Sequence, residues 1–138
     1  MKASAIILLA ASIAIAVPVA ARADDGSDIR AAITGQLDAF NAGNGAEAYS
    51  HAAPNVRSIF PNPDIFMSMV QSGYDPVYHS SNPVFGPMKA EGAGFRQELH
   101  ITDRNGKSWI ASYTLERQPD GSMKITGCTL RKGDDVAV

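Results

Sequence analysis

The chain has 138 residues, with 12 Lys and Arg against 14 Asp and Glu, three His and a single Cys. That length holds one domain with one modest core. An acidic balance with no Lys/Arg cluster sets aside nucleic acid and anionic membranes as partners, because phosphate contacts need local positive charge. One cysteine cannot form an internal disulfide, so the fold must rest on its hydrophobic core.

In chain order, residues 1–23 read as an export signal. Met1-Lys2 opens it, an apolar run spans Ala3 to Val17, Pro18 ends the run, and Ala21-Arg22-Ala23 offers the small-x-small site of signal peptidase. The alternative is a retained anchor, but a spanning helix needs about 20 apolar residues. Cleavage leaves residues 24–138 as a single α+β domain, periplasmic or secreted. Without Lys2 and Arg22 its net charge is −4.

Asp24 to Ser27 reads as a polar leader, with Ser27 or Asp28 as helix cap. Ile29, Ile33, Leu37 and Phe40 then recur at helical spacing, and Gly43-Asn44-Gly45 closes the helix. Gln36 falls beside the centre of that apolar stripe, so its amide has either a buried partner or a ligand; Asp38 falls on the opposite, solvent side. A short helix is expected over Ala46 to Ala52. Val56 to Phe60 is apolar on alternate residues, cut short by Pro61 and Pro63. Another helix is expected from Asp64 to Gln71, with Asn62 as cap, Pro63 in the first turn and Gly73 at the end.

From Tyr74 the period changes. Pro76, Pro83 and Pro87 make Tyr74 to Met88 an edge strand with loops at best. Phe95, Gln97, Leu99 and Ile101 share one face of a strand. The Asn105-Gly106 turn, with positive φ at its centre, leads into a second strand, where Trp109, Ala111, Tyr113 and Leu115 share a face. Pro119 to Ser122 is the next turn. In the last strand Met123 and Ile125 are apolar on odd positions, Cys128 and Leu130 on even ones. A bulge at Thr126-Gly127 restores one apolar face. Helices first and an antiparallel meander second point to a curved sheet with the first helix laid across its apolar face, a nuclear-transport-factor-2-like cone, rather than a parallel βαβ sheet.

As a set, Ile33-x-x-Gln36-x-x-x-Phe40, Phe66-Met67-x-Met69-Val70, Tyr74-x-Pro76-Val77-Tyr78, Trp109, Tyr113 and Gly127-Cys128 resemble the exported bacterial family called domain of unknown function 4864, within the nuclear-transport-factor-2-like and cystatin-like superfamily. The resemblance implies that cone fold and no particular activity.

Candidate ligand-binding residues are Gln36, Tyr74, Tyr78, His79, Trp109 and Tyr113: a buried amide and rings with polar tips, as found at the mouths of concave sites. The alternative for the rings is plain core packing. His51, His79 and His100 lack metal-ligand spacing, so no metal and no cofactor is expected. Asp38, Glu98, Asp103, Glu116 and Asp120 fall on solvent faces or in turns, leaving only His79 and the tyrosines for acid/base work. Two functions stay open. One is a module of the cell envelope binding a small apolar ligand or a protein partner. The other is a cone-fold isomerase, dehydratase or hydrolase acting on a small apolar substrate. A homodimer is left open.

Overall fold

In a computed structural model, the structure describes residues 23–133. Of the expected signal segment only Ala23 falls among them. Five helices precede a four-stranded antiparallel meander of order β1-β2-β3-β4.

Helix α1 spans Ala23–Asn41. Asp25, Ile29, Ala32, Ile33, Gln36, Leu37 and Phe40 recur at three- and four-residue spacing and are all buried. The helix starts one turn earlier than the capping residues suggested: Ser27 and Asp28 lie inside it. Two acidic residues, Asp24 and Asp25, complement the positive end of the first turn. Asp25 and Asp28, three apart on one face, both take hydrogen bonds from Arg117 at the end of the third strand. That long-range clasp holds the first turn down. At the other end Gly43 takes a positive φ of 65°, and its N–H and that of Asn44 reach back to Phe40 O and Ala39 O. This is a Schellman closure.

Asn44 then caps α2 (Gly45–Ser50) by accepting from Glu47 N. The stretch expected to alternate, Val56 to Phe60, instead enters a helix: α3 spans Pro54–Ile59, with Pro54 in its first turn and Phe60 as its C-cap. The apolar residues Val56, Ile59 and Phe60 stand at i, i+3, i+4 spacing, and Ser58 with Ile59 breaks the expected alternation, which is the reason for the difference. Helix α4 (Pro63–Gly73) carries the expected Asn62 cap, whose side chain accepts from Ile65 N. A single turn, α5 (Asp75–Tyr78), follows.

Strand β1 (Ser81–Glu91) is the expected edge strand, and its register slips twice, near Pro83 and Pro87. Prolines and irregularities on an edge discourage pairing with another chain. The second slip also accounts for Gln97, which points inward and is 1% exposed. Its amide donates to Gly86 O at 2.9 Å and to Glu98 O at 2.7 Å, so the bulged backbone satisfies it.

Strands β2 (Gly94–Thr102) and β3 (Ser108–Arg117) pair in the register that the turn implies: Phe95 opposite Leu115, Leu99 opposite Ala111, Ile101 opposite Trp109. In the connection, only Gly106 of the Asn-Gly pair takes positive φ, and Asp103 N donates to Lys107 O. The hairpin is a three-residue loop ending in a left-handed glycine rather than a two-residue turn with both central residues left-handed. Strand β4 (Met123–Lys132) carries the bulge: Thr114 pairs with Gly127 and Leu115 with Ile125, leaving Thr126 as the extra residue. Before the bulge, its outer edge is covered by residues 51–53, through Ile125 N to His51 O and Ala53 N to Ile125 O, both 2.8 Å. The core lies between α1 and the concave face of the sheet, with Ile29, Ile33, Leu99 and Leu115 at its centre.

Candidate functional site

A cavity of about 240 Å³ opens where α3 and α4 stand away from the bulged part of β4. Its floor is the concave face at Tyr113 and Ile125 to Cys128. Its walls are Gln36 and Phe40 from α1, Val56 and Ile59 from α3, Phe66, Met69 and Val70 from α4, and Val77 from α5, with Phe60 and Tyr74 at the joints. The aromatic wall is self-supporting: Phe66 lies 6.1 Å from Phe40, 5.6 Å from Tyr49 and 6.3 Å from Phe60, centroid to centroid. Tyr49 Oη donates to Phe60 O at 2.6 Å, and the Arg57 guanidinium sits 4.7 Å over the Tyr49 ring.

The bulge builds the floor. Without the extra residue, Cys128 and Leu130 would point to solvent. With it, Thr126, Gly127 and Cys128 all reach the cavity. Thr126 Oγ1 donates to Thr114 Oγ1 at 2.8 Å, and its carbonyl accepts from Asn55 Nδ2 at 2.9 Å, which ties α3 to the bulge.

The polar groups in this wall are few. Gln36 is 4% exposed and donates from Nε2 to Ala48 O at 3.1 Å, joining α1 to α2. Tyr113 is 1% exposed, and its hydroxyl meets no oxygen or nitrogen partner; only the Cys128 thiol, a weak acceptor, stands beside it. Burial, with a smaller contribution from the neighbouring Cys128 thiol, holds the Tyr113 phenol well above its ordinary pKa. Burial also pushes the Cys128 thiol up to about 12, against a smaller lowering from Tyr113. Both groups are therefore neutral near pH 7. No carboxylate and no histidine is among the lining residues.

Of the residues singled out from sequence, Gln36, Tyr74 and Tyr113 line the cavity and Tyr78, His79 and Trp109 do not. The Tyr78 ring packs 5.8 Å from Phe40, behind the wall, and its hydroxyl accepts from Gln71 Nε2. His79 packs edge-on against Tyr78, with its Nε2 3.9 Å from Asp75. Trp109 shares the concave face as expected, but its indole N–H donates to Asp103 Oδ2 at 2.9 Å, fastening the β2–β3 loop. Cys128, Thr126 and Asn55 were not singled out. The bulge reading already turned Cys128 inward, and that was the signal available for it. Among the described residues no group of three or more His, Cys, Asp or Glu is placed to hold a metal, and no helix is long and apolar enough to cross a membrane.

No match was found among curated proteins. A solved structure, an NTF-2-like protein of unknown function from Burkholderia xenovorans LB400, superposes with a TM-score of 0.50 at 14% identity, covering 83% of this chain and 89% of that one. At that identity the likeness speaks for the fold alone, and it is the cone that the meander and α1 form. The sequence model of the domain of unknown function DUF4864 matches residues 22–138, nearly the whole chain outside the expected signal, and the protein belongs to that family.

Proposed function

We propose that this is an exported, non-enzymatic binding module that holds a small, mainly apolar molecule in the cavity above the β4 bulge. The observation that carries the reading is the cavity wall: about 240 Å³ enclosed largely by Phe, Tyr, Val, Ile and Met side chains. A dry apolar cavity of about 150 Å³ accepts benzene, so this one has room for two fused rings or a substituted single ring. An enzyme of the same fold would need an acid/base pair in the wall, with one member ionised near neutrality. The titratable side chains there, Tyr74, Tyr113 and Cys128, include no carboxylate or imidazole, and the two on the floor are pushed away from neutrality. That weighs for binding over catalysis.

Calorimetric titration of residues 24–138 with naphthalene tests the reading. Saturable one-to-one binding is expected, abolished by Val56→Trp, which fills the cavity from its α3 wall. Absence of binding, or binding untouched by that substitution, would remove the cavity from consideration. The export part rests on the apolar run and on Ala21-x-Ala23. Mass spectrometry of the native protein should find Asp24 as the first residue; a full-length chain in the membrane fraction would sink it.

A further inference from the structure

We infer that the molecule held in this cavity is uncharged and presents one oxygen group, a hydroxyl or carbonyl, to the Tyr113 hydroxyl on the sheet floor. This inference rests on the binding reading above and specifies the ligand's chemistry. Its starting point is an anomaly in the core. Tyr113 is among the largest fully buried side chains of the domain, yet its hydroxyl meets no oxygen or nitrogen partner in the protein; the one polar neighbour is the Cys128 thiol, a weak acceptor. A buried polar group without a partner destabilises the folded state, and nearly all such groups find one. The other inward-facing polar side chains of the core conform: Gln97 is satisfied by Gly86 O and Glu98 O, and Trp109 by Asp103. Tyr113 is the exception, and it lies on the cavity floor.

Another polar group in the wall is complementary. Gln36 uses Nε2 on Ala48 O, which leaves its amide oxygen as an acceptor beside the same space. A phenol that can donate and an amide oxygen that can accept suit a neutral oxygen group. They do not suit an ion. The lining holds no Lys, Arg, Asp, Glu or His, so a carboxylate or ammonium would enter without a counter-charge, which is strongly unfavourable in an apolar wall. Of the other polar residues that line the cavity, Asn55 donates to Thr126 O and Thr126 Oγ1 donates to Thr114 Oγ1, while Tyr74 and Cys128 carry no charge; the mainly apolar remainder of the wall accounts for the rest of the ligand. The selectivity is therefore for charge and for one polar atom, with the ring system free to vary within the volume.

Three probes of one shape separate the outcomes: naphthalene, 2-naphthol and 2-naphthoate, titrated calorimetrically into the wild-type domain and Tyr113→Phe. The wild type should bind 2-naphthol about tenfold tighter than naphthalene, the ratio expected of one net hydrogen bond, and 2-naphthoate most weakly. Tyr113→Phe deletes one oxygen and leaves the ring, so naphthalene affinity should hold while the preference for 2-naphthol falls to about twofold or less. The unliganded variant should melt no lower than the wild type, since an unpaired buried hydroxyl is removed. A tenfold preference that survives in Tyr113→Phe would overturn the inference, as it would if a trapped water already satisfied the hydroxyl. Equal wild-type affinity for naphthalene and 2-naphthol, or tightest binding of 2-naphthoate, would overturn it too. Binding of naphthalene without these preferences leaves the cavity reading standing alone; binding of none of the three removes both.

Discussion

Gly94→Ala should destabilise the domain by about 2–4 kcal/mol, a large fraction of the roughly 5–15 kcal/mol expected of a domain this size. An added methyl at Gly94 would run into the Leu115 carbonyl oxygen and lie 2.7 Å from Glu116 Cγ. The Glu116 side chain is exposed and can swing aside. Leu115 O is backbone, and its residue is fixed by pairing with Phe95 on one side and Ile125 on the other. A relaxed contact needs more than 3 Å, so β2 and β3 must part by about 1 Å where they meet. Losing about two ladder hydrogen bonds at about 1 kcal/mol each, and loosening Phe95 and Leu115 in the core, accounts for the magnitude. The matched control is Gly73→Ala at the end of α4, where an added methyl meets no atom within 4 Å. That change should stabilise by up to about 1 kcal/mol through helix propensity and a stiffer unfolded chain. Urea unfolding followed by circular dichroism reads both, with the denaturant slope unchanged. A Gly94→Ala loss under about 1 kcal/mol would show that β2 does not press against β3 as described.

Cys128 should be inert in the native domain: with its thiol pushed up to about 12, almost no thiolate exists at pH 8, and a disulfide reagent should react only after unfolding. The unfolded thiol ionises from about pH 9 while the native one stays protonated, so stability should fall as pH rises above 9. Cys128→Ala should shallow that fall, and an unchanged slope would refute the assignment. Asp103 accepts from Lys107 N, Trp109 Nε1 and Asn105 N, and the first two contribute most to holding its carboxyl below the usual range. The unfolded chain therefore protonates first on acidification. The contribution is complete above about pH 4 and disappears as pH falls through the native value, so Asp103→Asn should flatten the acid limb of the stability curve. Trp109→Ala should lower stability by about 2–4 kcal/mol and leave naphthalene affinity within about twofold, since this ring fastens a loop outside the cavity; a selective loss of binding would place it in the site.

Much of the architecture was legible because it is written in local periods. The 3.6-residue recurrence of Ile29, Ile33, Gln36 and Phe40 set the buried face of α1. The alternation of Phe95 to Ile101 and of Trp109 to Leu115, with a glycine turn between, set the register of the sheet and put Tyr113 on its concave side. A change of parity in β4 disclosed the bulge. Where a segment was short or its deciding partner distant, the pattern ran out. Val56 to Phe60 holds only three apolar residues, whose i, i+3, i+4 spacing spans little more than one turn, and the docking of Asn55 on Thr126 and of Arg57 on Ala52 O accompanies the helix adopted there. The first turn of α1 is held by Arg117, roughly ninety residues away, which no cap signal near Ser27 could reveal. The candidate site divides in the same way. Burial of Gln36 and Tyr113 followed from the face each occupies on its own element, and the sequence by itself determined that. Which inward-facing rings line a cavity was decided by where α3 and α4 stop short of β4. That gap is a property of how several elements pack, so Trp109 and Tyr113, alike in strand, face and parity, end in different places: one bonded to Asp103, the other on the cavity floor with only the Cys128 thiol beside its hydroxyl.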